Sequence, residues 1–300
     1  HACGHDGHTA IGLTVAKILH AHRNELAGSI KFCFQPSEEG FNGEETGGAE
    51  MMIRDGVLDG PKVDKTLSLH LWNEKPLGWV NVARGPVMAG AEQFTIKLTG
   101  KGGHGAAPHT TIDPVVAATQ IVIVLQTIAA RNVAPLQAAV ISVTTIHSGS
   151  AFNIIPQEAE LTGTIRTFDL SVRKMVLERF DQIVRGIAET MQCKVEINVQ
   201  RVTPVVLNDD SIAASVQATA RRIFPETDLD TSSYLTMGAE DMGYMQEKVK
   251  GCYFFIGSNN KEKHLDYSHH HPKFDFDEQA LINGAALMSA AAADILKSIG

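Results

Sequence analysis

The sequence predicts an α/β protein of two domains, the second of which is inserted into the first. Its 300 residues exceed the usual size of one domain, so two hydrophobic cores are the default expectation. Helix-like and strand-like segments alternate near both ends of the chain, as they do in α/β domains. Between them the order changes to strand, helix, strand, strand, helix, strand, a two-layer unit that is able to fold alone. We therefore predict a discontinuous domain of residues 1–90 and 204–300 and an inserted domain of residues 91–203.

The individual elements are predicted from two kinds of periodicity. Apolar residues such as Ile11 and Val15 recur at helical spacing, whereas β-branched and aromatic residues alternate along residues 29–35, as in a strand. In the discontinuous domain, helices are predicted at residues 9–24, 48–55, 210–223 and 278–299, and strands at residues 29–35, 65–71 and 252–256. In the inserted domain, strands are predicted at residues 93–99, 138–147, 158–167 and 194–202, and helices at residues 113–131 and 171–191.

Composition and charge exclude several classes of partner. The chain carries 26 Lys and Arg against 34 Asp and Glu, and its basic residues form no cluster, so we expect neither nucleic acid nor an anionic membrane as a partner. Polar residues interrupt the apolar stretches at 115–130 and 280–296, and both are shorter than a membrane span, so we predict buried helices. The wide spacing of the cysteines favours the reducing cytoplasm. They are Cys3, Cys33, Cys193 and Cys252.

The first eight residues, from His1 to His8, combine three histidines with one cysteine and one aspartate. These are side chains that bind transition metals, and small residues separate them. A purification tag is the alternative, but Cys3, Gly4 and Asp6 interrupt the run of histidines, and a helix-like pattern follows directly. We therefore predict that this stretch binds metal at the N-terminus of a helix.

Two other parts of the chain offer groups for the same chemistry. Glu38 and Glu39 follow a predicted strand, so one carboxylate can bind a metal while the other stays free as a base; a solvated surface pair is the alternative. His70 by itself is more often a core residue than a ligand, and the run from His269 to His271 by itself is as often an exposed loop. Together these groups supply the ligands, the bridge and the base that a dinuclear hydrolytic centre needs.

Three other interpretations have weaker support. Residues 100–105 superficially resemble a phosphate-binding glycine loop, but they do not follow the first strand of a dinucleotide fold. His104 and His109 in this region are either catalytic groups or turn residues. Cys3 and His5 are two positions apart, a spacing that rarely gives the geometry of a thiol protease. The sequence lacks the Gly-x-Ser-x-Gly motif of serine hydrolases.

Seven motifs in order along the chain resemble those of one enzyme group, the amidohydrolase branch of the dinuclear zinc-exopeptidase superfamily. This group includes hippurate hydrolases, N-acyl-amino-acid aminoacylases and plant auxin-conjugate hydrolases. The motifs are His-Ala-Cys-Gly-His-Asp-Gly-His at residues 1–8, Gln-Pro-Ser-Glu-Glu-Gly at 35–40, Leu-His-Leu at 69–71, Gly-Gly-His-Gly-Ala-Ala-Pro-His at 102–109, Asn-Ile-Ile-Pro at 153–156, Gly-Thr-Ile-Arg at 163–166 and His-His-Pro at 270–272.

The resemblance implies a zinc-exopeptidase-like catalytic domain, with a central β-sheet flanked by helices, and an inserted ferredoxin-like lid and dimerisation domain. By similarity, the protein binds two divalent metal ions, Zn²⁺ or Mn²⁺, and the donor set is also compatible with Co²⁺ or Ni²⁺. Glu38 is the implied general base, which takes a proton from the attacking water. The implied metal ligands are Cys3, His5, Glu39, His70 and His270, with the thiolate of Cys3 as the bridge.

Further residues take implied roles near the substrate. His104 of the lid is expected to stabilise the developing oxyanion in the active site of a partner subunit, so a homodimer is expected. Asn153 and Arg166 match positions near the substrate, and the planar guanidinium of Arg166 suits a carboxylate. Asp6 is a candidate for orienting a metal ligand.

The expected activity is the release of an amino acid from an N-acyl or aryl-acyl conjugate. A dipeptidase or aminopeptidase of the same superfamily and a non-catalytic metal-binding scaffold are the alternatives. Members of the group carry a further segment before the Cys-Gly-His motif, so we expect this chain to be a fragment with exposed apolar edges. Glu240 and Asp241 lack the aromatic residue that often follows such a pair, and they are candidates for supporting the ligand histidines.

Overall fold

The computed structural model describes residues 2–39, 47–224 and 229–297, which form two compact units. The first unit comprises residues 1–88, 206–236 and 240–300, and the second comprises residues 89–205 and 237–239. The predicted first domain included residues 237–239, but these lie with the second unit, where the carbonyl of Gly238 accepts a hydrogen bond of 3.0 Å from the N–H of Ala89. His1 and Gly40, which belong to the sequence motifs, lie outside the described residues.

The second unit follows the predicted order of elements, and the first unit follows it in part. The helices are α1 (His5–Ala21), α2 (Gly48–Arg54), α3 (Pro114–Thr127), α4 (Leu170–Thr190), α5 (Asp210–Ile223), α6 (Met242–Lys248) and α7 (Gln279–Lys297). The strands are β1 (Thr66–Pro76), β2 (Val80–Asn81), β3 (Gly85–Met88), β4 (Gly90–Thr99), β5 (Gly103–His104), β6 (Ala139–Ser148), β7 (Ile154–Ile155), β8 (Glu158–Thr167), β9 (Lys194–Thr203), β10 (Val206–Asn208), β11 (Leu229–Asp230) and β12 (Gly251–Asn259).

A four-stranded sheet with the order β1-β12-β2-β11 forms the centre of the first unit, and its two longest strands, β1 and β12, are parallel. Helices α1, α5 and α7 pack on one face, against buried side chains such as Leu71 and Phe254. Helices α2 and α6 pack on the other face, against Trp72 and Phe255. Because side chains alternate along a strand, His70 lies on the same face as Trp72, and their rings are in contact. The predicted central sheet flanked by helices is confirmed.

Two elements of the first unit have boundaries that differ from the predicted ones, and these differences change where the motif residues lie. Helix α1 begins at His5, four residues earlier than predicted, so that His5, Asp6 and His8 lie in its first turns instead of before it. Strand β1 continues to Pro76, so His70 lies within the strand and not at its carboxyl end. In both cases the helix or strand is longer than the segment whose apolar residues recur periodically. Such periodicity predicts only the part of an element that packs against a core.

The predicted strand at residues 29–35 is wrong. These residues form neither helix nor strand, and none of the described strands pairs with them. Lys31 instead donates hydrogen bonds from Nζ to the carbonyls of Val57 (2.8 Å) and Asp59 (2.7 Å), while Phe32 and Phe34 are exposed. Alternation predicts which side chains share a face, but a strand also needs a neighbour to accept its backbone hydrogen bonds.

The second unit has the predicted order of strand, helix, strand, strand, helix, strand. Its sheet is antiparallel with the order β6-β8-β4-β9, the layout of a ferredoxin-like unit. Helices α3 and α4 pack on one face of this sheet, against Phe94 and Leu161. The predicted helix at residues 113–131 changes at its end, because α3 stops at Thr127 and a π-helical turn occupies Ile128–Asn132.

Two helical segments, Pro114–Asn132 and Gln279–Lys297, are long and apolar enough to cross a membrane by length and composition. Each places one face in a core. Ile121 belongs to the core of the second unit and Leu287 to the core of the first. Packing against a sheet accounts for the apolar residues on that face of each helix.

Candidate metal centre

Three of the predicted ligands, Cys3, His5 and His70, come together at the start of α1. Cys3 lies in the turn before the helix, His5 is its first residue, and His70 comes from the adjacent strand β1. One donor atom from each lies within 4.8 Å of the other two, and Cys3 Sγ is 3.6 Å from His70 Nε2. Gly4, between Cys3 and His5, has a φ of 86°, a left-handed conformation that glycine adopts without strain.

The hydrogen bonds of His70 define which of its ring nitrogens is free. Nδ1 lies 2.5 Å from the carbonyl of Leu71, which can only accept, so Nδ1 carries the proton and Nε2 presents a lone pair. Burial holds the pKa of His70 well below its usual value, which favours the neutral ring that binds metal. The free nitrogen is the one that faces Cys3.

A second group of donors shares Cys3 with the first. It contains Cys3, Glu39 and His270, again with one donor atom each within 4.8 Å of the others. His270 Nε2 is 3.4 Å from Glu39 Oε1, and His5 Nε2 is 3.7 Å from the same oxygen. The N–H of His270 donates to the carbonyl of Ala2 at 2.6 Å, which ties the C-terminal histidine loop to the turn that carries Cys3.

The donor set fits two divalent ions. Ligands that bind one ion at about 2.0 to 2.3 Å lie at most about 4.6 Å apart, close to the limit that both groups meet. Burial, followed by the carboxylates of Glu39 and Glu38, raises the pKa of the Cys3 thiol to about 12. Such an accumulation of negative charge favours bound cations, which would hold the thiol as a thiolate. Cys3, His5 and His70 would hold one ion, and Cys3, Glu39 and His270 the other.

Glu38 lies beside these donors but faces two further carboxylates. Its Oε2 is 3.5 Å from His5 Nε2, and its carboxyl lies within 4.8 Å of those of Glu240 and Asp241. Burial raises the pKa of Glu38, and the carboxylates of Glu240 and Asp241 raise it further. Glu240 and Asp241 were expected to support the ligand histidines; the structure places them against Glu38 instead.

Both supporting carboxylates are fixed by hydrogen bonds. Glu240 accepts from the hydroxyl of Tyr253 at 2.8 Å and from the N–H of Met242 at 3.1 Å. Asp241 accepts from the Gln35 amide at 2.6 Å and from the N–H of Ala49 at 2.8 Å. No sequence motif singles out Tyr253, which lies in the apolar strand β12 and is fully buried.

Three predicted residues, His104, Asn153 and Arg166, lie in the second unit. His104 pairs opposite Ile154 in the β5–β7 ladder, and the carbonyl of Asn153 accepts from the N–H of Gly105 at 2.8 Å, so His104 and Asn153 are neighbours. His104 Nδ1 accepts from the N–H of Ala106, which leaves the proton of the neutral ring on Nε2 as a donor. Arg166 lies on β8, where its guanidinium donates to the hydroxyl of Thr164.

Three other residues, Asp6, His8 and His269, lie near the predicted ligands but belong to neither donor group. Asp6 is exposed in the first turn of α1; burial lowers the pKa of His5, and the charge of Asp6 opposes this shift. His8 uses Nε2 to accept from the N–H of Leu71 at 3.0 Å, in line with its exclusion from the ligand set. His269, which was not predicted as a site residue, packs against the rings of both His70 and Trp72. Its place in a run of three histidines was the available signal.

The chain is similar to known proteins along almost all of its length. The model of the peptidase family M20/M25/M40 matches residues 1–294. The N-acetylcysteine deacetylase of Bacillus subtilis is 36% identical over 299 residues, which cover 100% of this chain and 75% of that protein. The hippurate hydrolase of Campylobacter jejuni is 34% identical, covering 99% of this chain and 74% of that protein.

A solved structure agrees with these sequence relationships. The YXEP protein of Bacillus subtilis, described as a dinuclear metal binding peptidase from the M20 family, superposes with a TM-score of 0.82 at 32% identity. The match covers 99% of this chain and 73% of that one. Two divalent metal ions are the cofactors that this relationship implies. The chain therefore belongs to peptidase family M20/M25/M40 and is a metal-dependent hydrolase of amide bonds.

Proposed function

We propose that this hydrolase releases amino acids from N-acyl amino acids, with Glu38 as the general base. The observation that carries the proposal is the position of Glu38: its Oε2 is 3.5 Å from His5 Nε2, and its carboxyl also lies within 4.8 Å of donor atoms of His5 and Glu39. The other five donors supply three ligands to each of the two ions without Glu38. A carboxylate so placed can exchange protons with a water molecule in the centre. Two relatives, an N-acetylcysteine deacetylase and a hippurate hydrolase, support an acyl amino acid as the substrate class.

The residues of the chain divide the reaction between them. When bound, two divalent ions supply Lewis acidity that activates water and polarises the scissile carbonyl. Glu38 takes the proton from the attacking water and passes it to the leaving amine. His104 donates from Nε2 to the developing oxyanion, and Asn153 and Arg166 bind the substrate, Arg166 through its carboxylate.

The proposal includes the form in which the enzyme works. We propose Zn²⁺ or Mn²⁺ as the ions, since thiolate and imidazole suit the first and carboxylate also suits the second. A homodimer through the second unit would allow His104 to act in the site of a partner subunit. The scattered cysteines support a cytoplasmic location.

Substitution of Glu38 by Gln tests the proposal. We expect the E38Q variant to keep its metal content and to lose about 100- to 10,000-fold in turnover of N-acetyl and N-benzoyl amino acids. The matched control is Glu25→Gln, which changes an exposed glutamate of the same unit that pairs only with His22 among the described residues. Unchanged turnover in E38Q would refute the role of Glu38. Hydrolysis of free dipeptides without hydrolysis of acylated amino acids would identify an aminopeptidase or dipeptidase instead.

A further inference from the structure

Asn73 is a buried amide that connects strand β1 to the loop that carries His270. It lies three residues after His70, and only 1% of its surface is exposed. Its side-chain nitrogen donates to three backbone carbonyls of the loop, those of Tyr267 (2.8 Å), Asp275 (3.0 Å) and, at a longer distance, Leu265 (3.4 Å). These carbonyls lie on both sides of the histidine run, so one amide holds the two ends of the loop together.

The other polar groups of Asn73 are also used. Its backbone N–H donates to His269 Nε2 at 3.1 Å, and its side-chain oxygen accepts from the hydroxyl of Ser258 at 2.9 Å. Its carbonyl accepts from the Asn259 amide at 3.1 Å. Asn73 therefore fixes His269, the neighbour of His270, relative to strands β1 and β12.

His270 depends on this support more than the other histidine ligands do. His70 is buried in a strand and bonded to Leu71, and His5 belongs to a helix. The His270 side chain is 65% exposed, and its backbone has a φ of 66°, a left-handed conformation that is costly for a residue with a side chain. Packing around the ring does not hold it in place, so the backbone of the loop must.

We propose that Asn73 is a positioning residue that holds His270 for one of the two metal ions. The inference rests on the metal centre of the proposed function and adds a residue that touches neither ion. Loss of the amide would release the loop and weaken the ion that Cys3, Glu39 and His270 would hold. The ion that Cys3, His5 and His70 would hold would be weakened less, because His5 belongs to α1 and His70 to β1, and of these two rings only that of His70 packs against the loop, at His269.

The test compares two buried asparagines of the same sheet. Asn73→Leu removes the amide donors while roughly keeping the shape of the side chain. Asn81→Leu is the matched control, because Asn81 is 0% exposed and its side-chain nitrogen donates to two backbone carbonyls, those of Asp230 (3.1 Å) and Ser232 (3.2 Å). Both variants lose hydrogen bonds from a buried amide to backbone carbonyls, but only those of Asn73 hold the loop that carries His270.

Zinc binding, measured by titration in competition with a chelator, separates the two ions without any assay of hydrolysis. We expect the unsubstituted chain to bind two ions, and Asn73→Leu to weaken one of them by about 10- to 100-fold, as is usual when a group that supports a metal ligand is lost. Asn81→Leu is expected to lower the melting temperature and to leave both affinities unchanged. If Asn73→Leu does not fold, Asn73→Ser, which keeps one weaker donor, is expected to show the same selective loss.

Several results would overturn the inference. Unchanged affinity for both ions in the folded Asn73 variant would do so, as would equal weakening of both ions or a similar loss in Asn81→Leu. Fewer than two ions in the unsubstituted chain would also contradict it. Two ions bound without hydrolysis of any N-acyl amino acid would instead refute the proposed substrate and leave the role of Asn73 standing.

Discussion

Cys3 Sγ lies 3.6 Å from His70 Nε2, although 67 positions separate the two residues in the chain. The same thiol also belongs to the donor group of Glu39 and His270. Sulfur from one residue can bind two ions at once, whereas each imidazole nitrogen has a single lone pair. Because Cys3 belongs to both donor groups, its thiolate would be able to bind both ions.

Substitution of Cys3 by Ala is expected to weaken both metal ions, because both donor groups lose a ligand. Cys33→Ala is the matched control, since Cys33 is exposed and belongs to none of the donor groups of the described residues. Metal analysis after dialysis measures the outcome. We expect fewer than one ion per chain in Cys3→Ala and two in Cys33→Ala; two retained ions in Cys3→Ala would exclude the thiol as a bridge.

Removal of the Tyr253 hydroxyl is expected to disturb Glu38 through Glu240. The hydroxyl donates to Glu240 at 2.8 Å, and a buried carboxylate that loses such a donor is destabilised by about 1.5 to 3 kcal/mol. Because Glu240 lies against Glu38, we expect Tyr253→Phe to lower kcat by about tenfold, with KM and metal content unchanged.

Tyr234→Phe serves as the control for this effect. The Tyr234 hydroxyl accepts from the Trp72 indole at 2.8 Å, so the variant also loses a partly buried hydrogen bond but leaves the carboxylates untouched. Steady-state kinetics on an N-acyl amino acid should show a loss of kcat in Tyr253→Phe alone. Equal losses in the two variants would mean that Tyr253 acts through general stability.

Acid is expected to remove a contribution of Asp277 to stability. Hydrogen bonds from Lys263, Gln279 and Asn260 lower the pKa of this buried carboxyl to about 2, below its value of about 3.9 in an unfolded chain. Because the pKa of Asp277 is lower in the folded protein than in the unfolded chain, its charge stabilises the folded protein at pH values above about 4. This stabilisation is lost as the pH falls from about 4 to about 2.

The variant Asp277→Asn should therefore unfold more easily than the unsubstituted chain at pH 7, and the difference should shrink as the pH falls below about 4. Urea unfolding at several pH values measures it. The control is Asp266→Asn, an exposed position in the same loop, which is expected to change stability by less than about 0.5 kcal/mol. A difference that stays constant down to pH 3 would show that the charge of Asp277 is not the cause.

Local signals were enough to predict much of the fold. Helix α5 has the bounds that the sequence predicts, residues 210–223, because its apolar spacing is regular and Asp209 caps it by accepting from the N–H groups of Ser211 and Ile212. The segment at residues 29–35 was wrong because strand pairing depends on a neighbour that periodicity does not report. The order of elements in the second unit was also predictable, because its helices and strands show regular apolar spacing as α5 does.

The candidate site divides in a similar way. Its donor residues could be named because each lies in a motif that resembles those of one enzyme group, and the structure places all five in two donor groups that share Cys3. Asn73 could not be named, since its partners lie 192 to 202 positions away and its chemistry is that of any polar strand residue. Residues that bind a metal leave a mark in sequence composition, but residues that position them through backbone carbonyls leave none.

The core of the second unit is expected to depend on Phe180, whose ring lies 4.8 Å from that of Phe94 with 1% of the residue exposed. Phe180→Ala would leave a cavity between α4 and the sheet and cost about 3 to 5 kcal/mol of the free energy of unfolding. Phe152→Ala is the matched control, because Phe152 is fully exposed and its loss is expected to cost less than about 0.5 kcal/mol.

Thermal unfolding and zinc binding are measured for both variants. Phe180 lies in the second unit and all five donors lie in the first, so we expect Phe180→Ala to lower the melting temperature without changing zinc affinity; a loss of zinc in the folded variant would show that the two units are coupled.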